Sequence, residues 1–335
     1  MSVIAGSDTL MPGIDYIVSQ ASASCKGTFG IVRINKTNIS RLKKFRKKVL
    51  SGDFILIDTY GVEEEEQLAE IERLERYNTL KAGGIIVLTE SIPAASMSQK
   101  NQGFPLIHIV RGSFPDETKK ITVDIESRYF SNYKTQNVCG YIGGQTDSFI
   151  VFTAHYDHLG MMGQGTWFPG ANDNGSGVAM LLNLAKHYAS SENKPNYSVA
   201  FLFFSAEEVG LLGSFYYADN PLFPLSKIRF LFNLDLVGTG DDGIQIVNST
   251  VFSKEYELLN GINEENQYLK QIKKRGEAAN SDHYPFYAKG VRCFFIYTLG
   301  GISAYHNVYD RPETLPLTEF EDLFRLITTF VERYE

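Results

Sequence analysis

Residues 149–157 read Phe-Ile-Val-Phe-Thr-Ala-His-Tyr-Asp, and further on Gly170-Ala171-Asn172-Asp173-Asn174-Gly175-Ser176-Gly177 opens a helical pattern. The first stretch is an apolar run that ends abruptly on polar residues, as a strand buried on both faces does. Outward from it the pattern repeats. Strands are predicted at 149–154, 199–205, 229–234 and 291–297, alternating with amphipathic helical stretches. That alternation predicts an α/β fold with a mostly parallel central sheet and helices on both faces. One helix is expected to carry Val178, Leu181, Leu182 and Ala185 on one face. The last is expected to open on a capping box, Thr318-Glu319-Phe320-Glu321, ahead of Leu323, Phe324 and Ile327.

Upstream the character differs. Phe54-Ile55-Leu56-Ile57-Asp58 suits a short buried strand, after which Leu68, Ile71 and Leu74 recur at helical spacing among charges. Glu63 to Glu66 read as the solvated first turn of that helix, where the helix dipole favours negative charge, rather than as a metal site. Gly83-Gly84 is expected to end the helix, and Ile85–Leu88 and Leu106–Val110 read as two more strands. No chemistry is visible in this β/α unit. The expected organisation is therefore an accessory domain over 1–115 and a catalytic domain over 116–335.

At 335 residues and 43% hydrophobic, the chain can bury a full core. A net charge of -7 without a long basic cluster argues against nucleic acid as partner. No apolar run approaches the roughly 18 residues of a membrane span, and Met1–Ser7 lacks the charged and apolar regions of a signal peptide. Cys25, Cys139 and Cys293 are odd in number and far apart, so neither a disulfide framework nor a cysteine zinc site is expected. The oligomeric state is not legible.

In a parallel sheet ligands gather at the carboxyl ends of strands, so the polar residues directly after each apolar run decide the chemistry. Here they are His155 and Asp157, then Asp173, Glu207 and Glu208, Asp235, and finally Tyr305, His306 and Asp310. Taken singly each is weak, since a lone histidine is usually structural and a lone carboxylate at a strand end is often a cap. Together they are not. Burying several carboxylates side by side costs several kcal/mol unless cations offset their repulsion and desolvation. Nitrogen and oxygen ligands without thiolate suit zinc, with cobalt or manganese as substitutes. Two histidines with three carboxylates match a pair of metals roughly 3.5–4 Å apart sharing one carboxylate.

At these residues the chain resembles the zinc-dependent aminopeptidase family that also includes glutamate carboxypeptidases. His-x-Asp, Gly-Ala-x-Asp-Asn-x-Ser-Gly, Ser-Ala-Glu-Glu-x-Gly-Leu-Leu-Gly-Ser, Asn-Leu-Asp and Tyr-His occur in the family's order between residues 155 and 306. The resemblance implies two Zn2+ per chain: His155 and Asp235 on one, Glu208 and His306 on the other, and Asp173 bridging. It further implies Glu207 as general base, Asp157 orienting His155, Tyr305 as a donor to the developing oxyanion, and a cis peptide between Asp173 and Asn174. A peptide is the implied substrate, and export from the cell the implied location.

His108, His158, His187 and His283 fall outside the matched positions and read as structural or surface residues, while Asp282 lies in a segment that matches the family near its pocket. Trp167 and Phe168 are candidates for lining a side-chain pocket. Residues 15–110 look like a protease-associated domain, through Phe54-Ile-Leu-Ile-Asp and Lys81-Ala-Gly-Gly-Ile-Ile-Val. Three rivals to an aminopeptidase stay open: a carboxypeptidase or dipeptidase, which would need a cation such as Arg275 or Arg292 for the substrate carboxylate; a glutaminyl cyclase; and a non-catalytic binding module.

Overall fold

The structure is a computed structural model that describes residues 1–42, 52–190 and 195–334. The chain divides into two units, one of Met1–Tyr133 with Leu159–Phe168 and His306–Val308, the other of Lys134–His158, Pro169–Tyr305 and Tyr309–Glu335. No helix among the described residues is long and apolar enough to cross a membrane, and all three cysteines are free thiols.

The first unit is built on β1 (Ser2–Ala5), β2 (Asp8–Leu10), β3 (Tyr16–Val18), β4 (Cys25–Ile34), β5 (Phe54–Asp58), β6 (Gly84–Thr89), β7 (Leu106–Val110) and β8 (Lys120–Ile125), in the order β2-β1-β8-β4-β5-β6-β7-β3. Strands β4 to β7 are parallel to one another. Alternate side chains fill opposite faces, as the pleat requires: Phe54, Leu56, Ile86 and Leu88 join one core, and Ile55, Ile57, Ile85 and Val87 the other. The helix Glu65–Tyr77 closes the second core with Ile71 and Leu74. It stops at Asn78, left-handed at φ 43, whose N–H bonds Leu74 O. The stop therefore precedes the Gly83-Gly84 pair expected to provide it. Gly84 serves packing instead, because a Cβ there would run into the Phe54 ring. Strand β8 pairs with β1 and β4, so this unit continues past the boundary expected at 115/116.

The second unit opens with β9 (Val138–Ile142) and β10 (Phe149–His155). A hairpin of β11 (Gly160–Met162) and β12 (Thr166–Phe168) then belongs to the first unit. The sheet resumes with β13 (Ser198–Phe204), β14 (Ile228–Leu234), β15 (Ile244–Val247), β16 (Ile272–Lys274) and β17 (Cys293–Thr298), in the order β16-β15-β17-β14-β10-β13-β9. The four strands expected from the sequence, β10, β13, β14 and β17, form its parallel centre, and β9 and β15 flank it antiparallel. On one face the helices Gly177–Ala189, Ser253–Asn266 and Phe320–Arg333 cover Ile150, Phe152, Phe230, Phe232 and Phe294. On the other, Tyr217 and Phe286 from two shorter helices cover Val151, Leu202 and Leu231. This is the α/β architecture the alternation predicts.

Two helix details differ from expectation. In Gly177–Ala189 the buried stripe is Met180, Leu181, Leu184 and Tyr188, while Leu182 is 58% exposed. Residues 177, 180, 181, 184 and 188 keep the i, i+3, i+4 spacing, and Leu182 stands off that line. The last helix has no capping box: Glu319 takes the N-cap without a side-chain bond, and the Thr318 hydroxyl donates to Asp241 Oδ2 at 3.1 Å.

Alanine at Leu181 should lower unfolding free energy by about 2–5 kcal/mol, and alanine at Leu182 should change it by no more than about 0.5 kcal/mol, read from urea titrations of both variants. Equal losses would mean that the helix is rotated from this phase.

Candidate metal centre

The register of the parallel strands brings the polar residues together. His155 is level with Phe204, and Thr153 with Asn233, so β10, β13 and β14 end side by side. Glu207 and Glu208 follow β13 through Ala206, which is left-handed at φ 61, and Asp235 follows β14 directly, ahead of left-handed Leu236 at φ 60. Such residues turn the chain sharply where a strand must end.

Asp173 arrives from a separate turn, Ala171–Ser176, in which the Asp173–Asn174 peptide is cis, as the resemblance implied. The turn is held from below. The N–H groups of Asn172 and Asp173 donate to the two carboxylate oxygens of Asp310, at 2.8 and 3.0 Å. The Asn174 amide donates to Leu234 O at 3.0 Å and accepts from the Gly177 N–H at 2.9 Å. The Ser176 hydroxyl donates to Asn172 O at 2.7 Å and accepts the Val237 N–H at 2.9 Å. A Cβ at Gly177 would collide with Leu234 O and the Asn174 amide, so glycine lets the helix start directly against β14.

The side chains converge on His155, which is buried. Its Nε2 lies 3.3 Å from Asp173 Oδ1 and 3.4 Å from Asp235 Oδ1, and its Nδ1 faces the backbone carbonyl of Asp157 at 3.1 Å. Two groups of three can each direct a ligand atom to within 4.8 Å of the others: His155, Glu207 and Asp235, and His158, Asp173 and Glu208. The Asp157 carboxylate accepts the backbone N–H groups of Glu207 and Glu208, at 3.2 and 3.3 Å. Asp157 therefore meets His155 mainly through its carbonyl, the carboxylate being 3.8 Å from Nδ1, and binds the Glu207-Glu208 backbone with its side chain. Behind Asp235 runs a buried chain of hydrogen bonds: Thr153 hydroxyl to Asn233, Asn233 amide to Ser281, and Ser281 hydroxyl to Asp235 Oδ2, at 2.7, 2.8 and 2.9 Å.

The electrostatics call for positive charge. Burial opposes protonation of His155, yet Asp235 and Asp173 outweigh it and hold its pKa well above the usual range. Burial pushes the Glu207 carboxyl up to about 9, against the pull of His155 and with the repulsion of Asp282, Asp235 and Glu208. Burial likewise pushes Asp282 up to about 7, with His155 opposing. Asp235 Oδ1 is buried and accepts no hydrogen bond. A buried acceptor of this kind, aimed at an imidazole among carboxylates, fits a divalent cation, and the oxygen and nitrogen donors fit zinc.

Among the expected site residues, His155, Asp157, Asp173, Glu207, Glu208 and Asp235 are thus gathered at one end of the sheet. Tyr305, half exposed, has its hydroxyl pKa raised by burial and then by Asp173, Glu208, Asp235 and Glu207. His306 clusters with the first unit, where its Nδ1 lies 2.9 Å from Ala95 O. Phe168 is buried in the core of that unit, which removes it as a pocket lining, and Trp167 is exposed. His108 pairs with Glu75 at 2.8 Å, His187 packs on Phe324, and the buried His283 ring lies against Phe295. His158 departs from the sequence reading, because its ring sits inside the carboxylate cluster. The one signal for it was adjacency, in the run His155-Tyr156-Asp157-His158.

Comparison with known proteins gives this cluster a family. The family model described as peptidase family M28 matches residues 137–331. The chain belongs to this family. Among its relatives, aminopeptidase YwaD of Bacillus subtilis (strain 168) is 27% identical over 213 residues, which cover 58% of this chain and 43% of YwaD. Leucine aminopeptidase 2 of Trichophyton equinum is 33% identical over 157 residues, 46% of this chain and 29% of that protein. The chain thus matches less than half the length of either. In fold it is similar to BSAP, a zinc aminopeptidase from Bacillus subtilis, with a TM-score of 0.68 at 22% identity over 98% of this chain and 80% of that one. It is also similar to the aminopeptidase from Aneurinibacillus sp. strain AM-1, with a TM-score of 0.60 at 19% identity, covering 98% and 79%.

Replacing Asp310 with alanine would leave two buried N–H groups of the Asp173 turn without their acceptor. The expected cost is about 2–3 kcal/mol of stability in the metal-free M28 protein, read by urea titration. Zinc affinity should also fall on the order of 10–100-fold, read by calorimetry. Unchanged zinc affinity would show that the turn does not depend on Asp310.

Proposed function

We propose that the chain is a metallo-aminopeptidase that holds two Zn2+ and hydrolyses N-terminal residues from peptides. The observation that carries this reading is the position of Asp173, which stands with His158 and Glu208 in one group of ligand atoms and 3.3 Å from His155, a member of the other. A carboxylate so placed suits a bridge between two cations. His155 and Asp235 would hold one ion, and Glu208 the other together with His306, which the Tyr-His motif assigns. The names of the relatives agree with an aminopeptidase.

A bound pair of zinc ions supplies Lewis acidity, which polarises a peptide carbonyl and acidifies water. The remaining work falls to the chain. Glu207, its backbone fixed by Asp157, takes the proton from the attacking water and returns it to the leaving amine. Tyr305 stands as hydrogen-bond donor to the carbonyl oxygen as charge develops there. A carboxypeptidase would need a cation near the cluster for the substrate carboxylate. Arg292 instead precedes β17, at the strand end opposite the one that leads to the cluster, and ion-pairs with Glu255, while Arg275 donates to the Tyr297 hydroxyl at 2.8 Å. The position of Arg292 favours the aminopeptidase.

The test pairs metal analysis with release of amino acids from free and N-acetylated peptides. Two zinc ions per chain and release from free N-termini only are expected. Glu207→Gln should keep both ions while turnover falls about 10²–10⁴-fold. Cleavage of the acetylated peptides would move the assignment to a carboxypeptidase, and failure to bind zinc at saturation would sink the mechanism.

A further inference from the structure

The strand end of β10 does more than deliver His155. Two residues on, Asp157 accepts the backbone N–H of Glu208 at 3.3 Å, and three residues on, His158 Nδ1 meets Glu208 Oε1 at 2.7 Å. Glu208 is thus gripped at its backbone and at its carboxylate by one short segment. An ionised carboxylate only accepts hydrogen bonds, so the proton of the His158–Glu208 contact sits on Nδ1 of the imidazole. Both side chains are nearly buried, at 10% and 5% exposure, where such a bond is stronger and more directional than in water.

The backbone makes room for this ring. Gly170, left-handed at φ 65, opens the Asp173 turn and accepts the Gly175 N–H, and a Cβ on it would lie 2.5 Å from His158 Cγ and from Asp173 O. Only glycine lets the imidazole lie flush against the turn that carries Asp173. The ring therefore abuts the Asp173 turn on one side and bonds Glu208 on the other, which is the placement its membership in the Asp173–Glu208 group requires.

We propose that His158 is a positioning residue for the second metal position: its Nδ1–H fixes the Glu208 carboxylate in the orientation in which it meets the cation. The inference rests on the two-metal reading above. Groups that hydrogen-bond a ligating carboxylate fix its orientation, and their removal commonly weakens metal binding 10–100-fold. Because the bond runs to Glu208, which the two-metal reading places on one ion, the loss should fall chiefly on that ion.

The experiment is a calorimetric titration of metal-free protein with Co2+, followed in parallel by the visible spectrum of the bound metal, on wild type, His158→Ala and His158→Asn. Wild type should take two equivalents. His158→Ala should keep one close to wild-type affinity and bind the second about 10–100-fold more weakly, with the spectrum of the second equivalent altered. Asparagine carries its amide N–H on the atom after Cγ, where Nδ1–H stood, and should restore much of the second affinity. The proposal is overturned if His158→Ala binds both ions as wild type does, if it weakens both equally, or if asparagine behaves as alanine does. Thermal unfolding of the metal-free variants shows whether each is folded, and a misfolded alanine variant leaves asparagine against wild type as the deciding comparison. Should wild type itself bind fewer than two ions, the two-metal reading fails, and that outcome is separate from any effect of His158.

Discussion

Like charge crowded into a nearly dry place is the constraint on which this molecule turns. Asp173 and Asp235 are buried, Asp282 is wholly so, and Glu207 and Glu208 are close by. Carboxylates in such a setting repel one another and lack the water that would solvate them. The surroundings can be understood as restraint against that repulsion. Asp310 fixes the Asp173 turn through its backbone, Asp157 fixes the two glutamates through theirs, and the Thr153–Asn233–Ser281 chain fixes Asp235 through one oxygen. Most of these restraints act on backbone or on a single oxygen rather than on the whole carboxylate.

The sheet supplies the precision. His155, Glu207, Glu208 and Asp235 come from the ends of three adjacent strands, and their relative height is set by the pairing of His155 with Phe204 and of Thr153 with Asn233. A slip of one residue would turn every side chain of a strand to the other face, and the cores on both faces forbid it. Phe152 stacks between Phe201 and Phe232 at 5.8 and 5.6 Å, and Phe232 meets Phe330 edge-on at 5.1 Å. Aromatic packing thus locks the register, and the register places the ligands.

This division explains what could be read from sequence. The apolar runs were legible because a strand buried on both faces leaves a continuous signature, and the polar residues at their ends stood out against it. The phase of the helix at 177–189 was not fully legible, since Leu181 and Leu182 are the same residue type and only packing tells them apart. The Thr318–Glu321 pattern failed as a cap because Asp241, distant in sequence, takes the hydroxyl. His158 escaped for a related reason: its partner lies 50 residues away, and neither spacing nor composition reports that a loop folds over it. Asp157 was noticed for the right neighbour, but its carboxylate bonds chiefly to Glu207 and Glu208.

The same atoms govern stability and chemistry, with opposite demands. For the polypeptide alone, gathering these carboxylates raises the folded state in free energy, and the hydrogen bonds around them oppose that rise. A cation that binds the assembled cluster and not the unfolded chain lowers the folded state by mass action. Metal binding and folding of the second unit are therefore linked through the strand ends, where the ligands are neighbours only once β10, β13 and β14 have paired. The cluster stands at the end of a large apolar core in which Phe152, Phe204, Phe230, Phe232, Phe286, Phe294 and Phe330 are fully buried, and burial of that kind is what offsets the cost of the carboxylates.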